Sequence, residues 1–330
     1  MKTVAVIGSN SFSGSDLVDL LLTETESRVL GISRSPEKSA LSLPYLKNPH
    51  RERFRFHQLD LNGDMEALLA LLAAERPSWI VNFAAQSEVA PSWENPEQWF
   101  QTNAVALARL GNFLKDQPWL ERYVHISSPE VYGTCVGTVR EDAPLNPSTH
   151  YAASKAAADL FLTALRRHFG FPVVFVRSTN VYGAHQQLFK IIPRTVIYLR
   201  LGRKVSLHGG GHAVKSYIHI RDVSRGELAI LRSGALGETY HLSPDGGVAV
   251  RDVVRGLCER LGRPFEESTE TVAERLGQDA AYVIDSSKAR ETLGWRPAVG
   301  LSEGLSEVVT WIDEYWDEIL TASLDYVHKP

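Results

Sequence analysis

The chain has 330 residues, 44% of them hydrophobic and 22% charged, with a formal net charge of −4. That is room for one large domain or two linked ones, and the acidic balance without a basic run excludes a nucleic-acid surface. Two cysteines, Cys135 and Cys258, exclude a disulfide framework and fit a reducing cytosol, and no apolar run approaches a membrane span.

The chain enters a β-branched run, Lys2 to Ile7, without a signal-peptide pattern, so a cytoplasmic location is expected. GSNSFSG (Gly8 to Gly14) and an apolar-periodic helix, Asp16 to Leu22, follow. Strand, glycine turn and helix form the phosphate cradle of a dinucleotide fold, with backbone amides facing a pyrophosphate. Gly8, Ser11, Phe12 and Gly14 are the candidate cofactor residues there. Ser11 stands where the fingerprint has its middle glycine. The second strand, Arg28 to Ile32, ends in Ser33-Arg34-Ser35. A carboxylate for the ribose 2′-hydroxyl is missing, and Arg34 suits a 2′-phosphate, which gives a modest preference for NADP over NAD.

The third strand, Phe54 to Leu59, leads to Asp60 and Leu61, placed to edge the adenine. The fourth, Trp79 to Phe83, opens into Ala84-Ala85-Gln86-Ser87-Glu88-Val89. The alanines permit close approach of a dinucleotide, and Gln86, Ser87 and Glu88 are expected to point at a substrate. Helices at about 96–115 and 151–169 carry apolar residues on more than one face: Leu107, Leu110, Leu114, Leu160, Phe161 and Leu165. Homodimer formation through these helices is expected, with core burial as the alternative.

Between those helices lies a fifth strand, Tyr123 to Ile126, so Ser127, Ser128 and Glu130 sit at its C-terminal mouth, where ligands gather in an open α/β sheet. Tyr151 and Lys155 are one helical turn apart on one face. An ammonium there is expected to lower the phenol pKa and to hold a cofactor ribose, making Tyr151 a base near neutral pH. Val173 to Arg177 is the sixth strand, and the alternation predicts an α/β doubly wound parallel sheet.

After Asn180-Val181-Tyr182-Gly183 the rhythm breaks. We expect a dinucleotide-binding Rossmann domain over 1–182, with strands at about 216–243 returning to it, and a mixed α/β substrate lobe over 183–330. Lys190, Arg203, Lys215 and Arg275 recur through that lobe and suit an anionic, diphosphate-bearing substrate. No Cys/His grouping has ligand spacing, so no metal is expected.

These strings resemble the extended short-chain dehydrogenase/reductases acting on nucleotide sugars, and most of all their nucleotide-hexose 4,6-dehydratases. The likeness runs from GSNSFSG through NFAAQSEV, SSPEVYG, YAASK, TNVYG, KIIP, KSYIHIRDV and GETYHL to ERLGQDAAYVIDSSKARETLGW. It implies Arg275 on the substrate diphosphate, Lys215 at a position usually Arg, and Lys190 and Asn180 lining the nucleotide-sugar site. NFAAQSEV and the Arg after strand two are most similar to GDP-mannose 4,6-dehydratases, which use NADP.

The family mechanism implies that Tyr151 removes the carbon-4 hydroxyl proton while hydride passes to the nicotinamide, with Ser128 bonded to the same oxygen. Glu130 then removes the carbon-5 proton, the carbon-6 hydroxyl departs, and hydride returns at carbon 6. Many dehydratases carry Asp immediately before that Glu to protonate the departing hydroxyl; this chain has Pro129. Glu88, a water or His185 are the substitutes. A 4-epimerase or a UDP-glucuronate decarboxylase is the alternative enzyme. A non-catalytic dinucleotide sensor has no need of Tyr151, Lys155 and Glu130 together.

Overall fold

The β-branched runs become strands of one sheet because most of them are apolar and buried through their centres, the pattern of parallel strands covered on both faces. The structure, a computed structural model, describes residues 2–134, 137–274 and 283–329. Strands β1 (Thr3–Ile7), β2 (Arg28–Ser33), β3 (Phe54–Gln58), β4 (Trp79–Asn82), β5 (Arg122–Ile126), β6 (Val173–Ser178) and β7 (Thr239–Leu242) pair in parallel. Their order across the sheet is 3-2-1-4-5-6-7. The order reverses between β1 and β4, and a crevice opens at such a switch point beyond the carboxyl ends of the strands.

Alternation along β1 sends Val4 and Val6 to one face and Ala5 and Ile7 to the other. The first face packs against Leu17, Leu20 and Leu21 of helix α1 (Phe12–Glu24) and Leu228 and Leu231 of the helix Ile220–Ser233. The second packs against Leu68 and Leu72 of Met65–Glu75, Leu107 and Leu110 of Leu107–Leu114, and Leu162 of His150–Phe169. Each buried leucine is worth about 1.5–3 kcal/mol of transfer free energy. A third apolar cluster, away from the sheet, joins Val196 and Ile197 (helix Ile191–Arg200), Val254 and Leu257 (Val250–Arg260) and Val308 and Ile312 (Leu301–Glu314).

Several sequence expectations change. Leu107, Leu110, Leu114 and Leu165 lie in the core of the single chain, and Phe161 packs against it. The apolar side chains left exposed on those helices are Phe100, Val105, Leu160 and Phe169. Residues 101–106 form a π-helical stretch inside the span expected as one regular helix. The expected return to the sheet near 216–243 is made by β7 and its preceding helix, whereas Tyr217–His219 pairs with Asn180–Tyr182 instead. Among the described residues no helix is long and apolar enough to cross a membrane, and no group of three or more His, Cys, Asp or Glu could hold a metal. Cys258 is buried, and Cys135 lies outside the described residues.

Candidate active site

The turn after β1 is shaped by two glycines. Gly8 has φ +90°, and a Cβ there would lie 2.9 Å from the Ala84 nitrogen. A Cβ on Gly14 would lie 2.3 Å from the Gly8 carbonyl oxygen. Only glycine lets this turn press against the strand ends. Ser11 supplies the cap of α1, its Oγ accepting from the Gly14 amide at 3.0 Å, which accounts for a serine in place of the middle glycine. Asn10, which the sequence reading passed over inside the same motif, donates its side-chain amide to the carbonyls of Ser35 and Pro36, both at 2.9 Å.

A cavity of about 320 Å³ runs along this turn. Gly8, Ser11, Arg34, Asp60, Leu61, Ala84 and Ala85, the candidate cofactor residues, line it. Phe12 and Gly14 are buried behind the loop, not among the lining residues. Gln86, expected to face substrate, lines this cavity, while Ser87 and Glu88 border both it and its neighbour. Lys38 is a further cation here, its amine pushed down by burial and by Lys329. A glycine cradle a Cβ would fill, a capped helix N-terminus and flanking cations fit a dinucleotide diphosphate.

β5 delivers the loop that carries Ser127, Ser128 and Glu130. Ser128 caps the single turn Pro129–Tyr132, its Oγ accepting from the Glu130 amide at 3.2 Å. Pro129 occupies the first position of that turn, where a fixed φ suits the helix and no N–H is needed. The helix His150–Phe169 is capped by Thr149 and brings the Tyr151 phenol close enough to Ser128 for its hydroxyl to act on the phenol's pKa. The Lys155 ammonium donates to the Ile126 carbonyl at 2.7 Å.

The electrostatics differ from expectation. The Tyr151 phenol stands well above its ordinary pKa, first because it is buried and next because Glu130 faces it, with the nearby Ser128 hydroxyl opposing. Burial brings the Lys155 ammonium down to about 8, with Asp159 opposing.

Beneath this loop lies a polar network that sequence reasoning missed. Asp159, one turn beyond Lys155, accepts from Ser127 Oγ and from Arg177 Nη2, each at 2.7 Å. Arg177 also reaches the Tyr132 hydroxyl, which contacts His241 Nε2 at 2.8 Å. Asn103, in the π-helical stretch, accepts from the Gln86 amide at 2.8 Å and donates to Ser154 Oγ at 2.9 Å. These polar residues carry no spacing signature.

A second cavity, about 650 Å³, adjoins the first. Glu130, Glu88, Asn180, Lys190 and Lys215 line it, together with Arg194, which the sequence reading did not single out. The Asn180 side-chain nitrogen is buried without a hydrogen-bond partner, a donor left for a ligand. Arg203 packs on Tyr198 instead, and Arg275 lies outside the described residues. His185 is turned away: its Nδ1 meets the Leu41 carbonyl at 3.0 Å and its ring packs on Trp311.

Comparison with known proteins agrees with this geometry. The family model described as GDP-mannose 4,6 dehydratase matches residues 6–308. A dTDP-glucose 4,6-dehydratase of Xanthomonas campestris pv. campestris is 32% identical over 268 residues, 76% of each chain. One from Escherichia coli is 28% identical over 353 residues, 97% of each chain. The crystal structure of DesIV, a dTDP-glucose 4,6-dehydratase from Streptomyces venezuelae with NAD and TYD bound, has a TM-score of 0.86 at 32% identity, covering 96% of this chain and 98% of that one. The chain belongs to the nucleotide-sugar 4,6-dehydratase family of the extended short-chain dehydrogenase/reductases, a family of lyases built on a dinucleotide-binding sheet.

Proposed function

We propose that the chain is a nucleoside-diphosphate-hexose 4,6-dehydratase that oxidises, dehydrates and re-reduces its sugar in one site. The observation that carries this is a carboxylate, Glu130, in a cation-lined cavity and facing the buried phenol of Tyr151. When bound, the dinucleotide supplies the acceptor and donor of one hydride, so none is consumed overall. Tyr151 takes the carbon-4 hydroxyl proton, with Ser128 sharing that oxygen. Glu130 takes the proton at carbon 5, acidified by the adjacent ketone, and the carbon-6 hydroxyl leaves as water.

The proton for that leaving group needs a donor, because Pro129 has none and His185 is turned away. Glu88 fills the role in our reading: it lines the same cavity and acts electrostatically on Tyr151. Asn180, Lys190, Lys215 and Arg194 would take the diphosphate. NAD is the cofactor we propose, since solved relatives are recorded with NAD and give an NADP preference no support. Arg34 and Lys38 leave NADP a possible second ligand. We further propose a cytoplasmic enzyme, with residues 1–182 and the later sheet strand as its dinucleotide domain, pairing as a homodimer over Phe100, Val105, Leu160 and Phe169.

The test is incubation of purified protein with several nucleoside-diphosphate hexoses in heavy water, followed by mass spectrometry. Loss of water with deuterium at carbon 5 supports the reading. Epimerised sugar without deuterium replaces it with 4-epimerisation, and loss of carbon dioxide replaces it with decarboxylation.

A further inference from the structure

The catalytic and nucleotide motifs make no use of residues 322–329, and the family model stops at residue 308. After the turn Trp316–Thr321 the chain leaves the outer helices without regular structure and passes over both cavities. Asp325 borders the larger cavity, Val327 and Lys329 border the dinucleotide cavity, and Tyr326 borders both.

The segment is fastened to both sides of the cleft. The Tyr326 ring meets Phe189 edge-on at 5.4 Å, and its hydroxyl contacts His328 Nδ1 at 3.0 Å. The His328 ring stacks on Trp99 at 5.2 Å with 10° between planes, and its Nε2 contacts Gln98 Oε1 at 2.5 Å. The Lys329 carbonyl accepts from Gln86 Nε2 at 2.7 Å and from Arg34 Nη2 at 3.0 Å. Ordering an extended segment costs backbone entropy, so a path this densely fastened is specified rather than incidental.

We propose that residues 322–329 are a strap that closes the dinucleotide groove over its cofactor and supplies Tyr326 as the wall shared with the nucleotide sugar. The proposal rests on the dehydratase reading, whose cycle requires one dinucleotide to stay in place between oxidation and reduction. The amines of Lys329 and Lys38 join the Arg34 guanidinium in a cationic corner suited to the phosphates of the dinucleotide.

The measurement is release of bound NAD, followed by the nucleotide left on desalted protein and by fluorescence of the buried Trp99. The full chain is compared with one lacking residues 324–330 and with His328→Ala and Tyr326→Ala. The expected result is release at least about tenfold faster in each variant, with saturating NAD restoring most of the turnover in His328→Ala. If the shortened chain does not fold, the two point variants decide. Unchanged retention overturns the strap, and tighter retention overturns it by making the segment a competitor of NAD. Strap-dependent retention in a protein that no nucleoside-diphosphate hexose reduces would leave the strap standing and remove the dehydratase reading instead.

Discussion

Lys190 Nζ lies 2.6 Å from Glu88 Oε1, an ion pair joining the loop after β4 to the cap of the helix Ile191–Arg200. Both side chains border the larger cavity, so a diphosphate arriving beside Lys190 would draw the ammonium away from Glu88. In the dehydratase reading, that turns the Glu88 carboxyl from Lys190 toward the carbon-6 hydroxyl.

Glu88→Gln should therefore block departure of the carbon-6 hydroxyl while leaving carbon-5 exchange intact. Turnover should fall about 10²-fold or more, the worth of a positioned acid. Sugar recovered from heavy water should carry deuterium at carbon 5 without having lost water. Undiminished turnover would remove Glu88 from the mechanism.

Glu130→Gln should behave differently. Oxidation at carbon 4 survives, so reduced nicotinamide accumulates and is seen by its absorbance, whereas turnover falls about 10²–10⁴-fold. No deuterium should enter carbon 5. A variant that turns over normally points to an epimerase, which moves no carbon-5 proton.

Tyr151 and Lys155 set the pH response. Tyr151→Phe should abolish turnover while NAD stays bound. Lys155 titrates at about 8, below its unfolded value, so the folded protein holds fewer protons than the unfolded chain between those two points. This group's penalty on stability is full below about pH 8 and is relieved as pH rises through the unfolded pKa. Activity runs the other way. The log of kcat/KM should bend downward above about pH 8 as the ammonium is lost, and Lys155→Met should lower the rate and erase that bend.

The end of β2 decides the second nucleotide. A charged hydrogen bond from Arg34 to a 2′-phosphate is worth about 1.5–3 kcal/mol, roughly ten- to hundredfold in affinity. Arg34→Ala should weaken NADP by that factor beyond whatever it costs NAD in competition binding. Equal effects on both would show that Arg34 does not read the 2′-phosphate.

Much of this was legible in the chain. Strand ends, the glycine turn and the Tyr151–Lys155 pair follow from periodicity and four-residue spacing, which are local. Desolvation is not local: spacing placed Lys155 near Tyr151 but could not show that burial and Glu130 would dominate the phenol. Nor could it show that Leu107, Leu110 and Leu114 face the sheet, because a helix apolar on several faces fits a core and an interface equally. The short strand Thr239–Leu242 gains its identity only from pairing with Phe175–Ser178. Gln86 meets the Lys329 carbonyl across 243 residues, a contact no window of sequence contains.

The late arrival of β7 has a practical consequence. It covers the outer edge of β6 after the chain has already visited the outer helices and come back. A fragment ending at residue 182 would leave the β6 edge bare, a template on which another chain can add a strand. Such a half should clump when expressed alone, and exchanging substrate pockets between relatives would require grafting several interleaved stretches rather than one contiguous block.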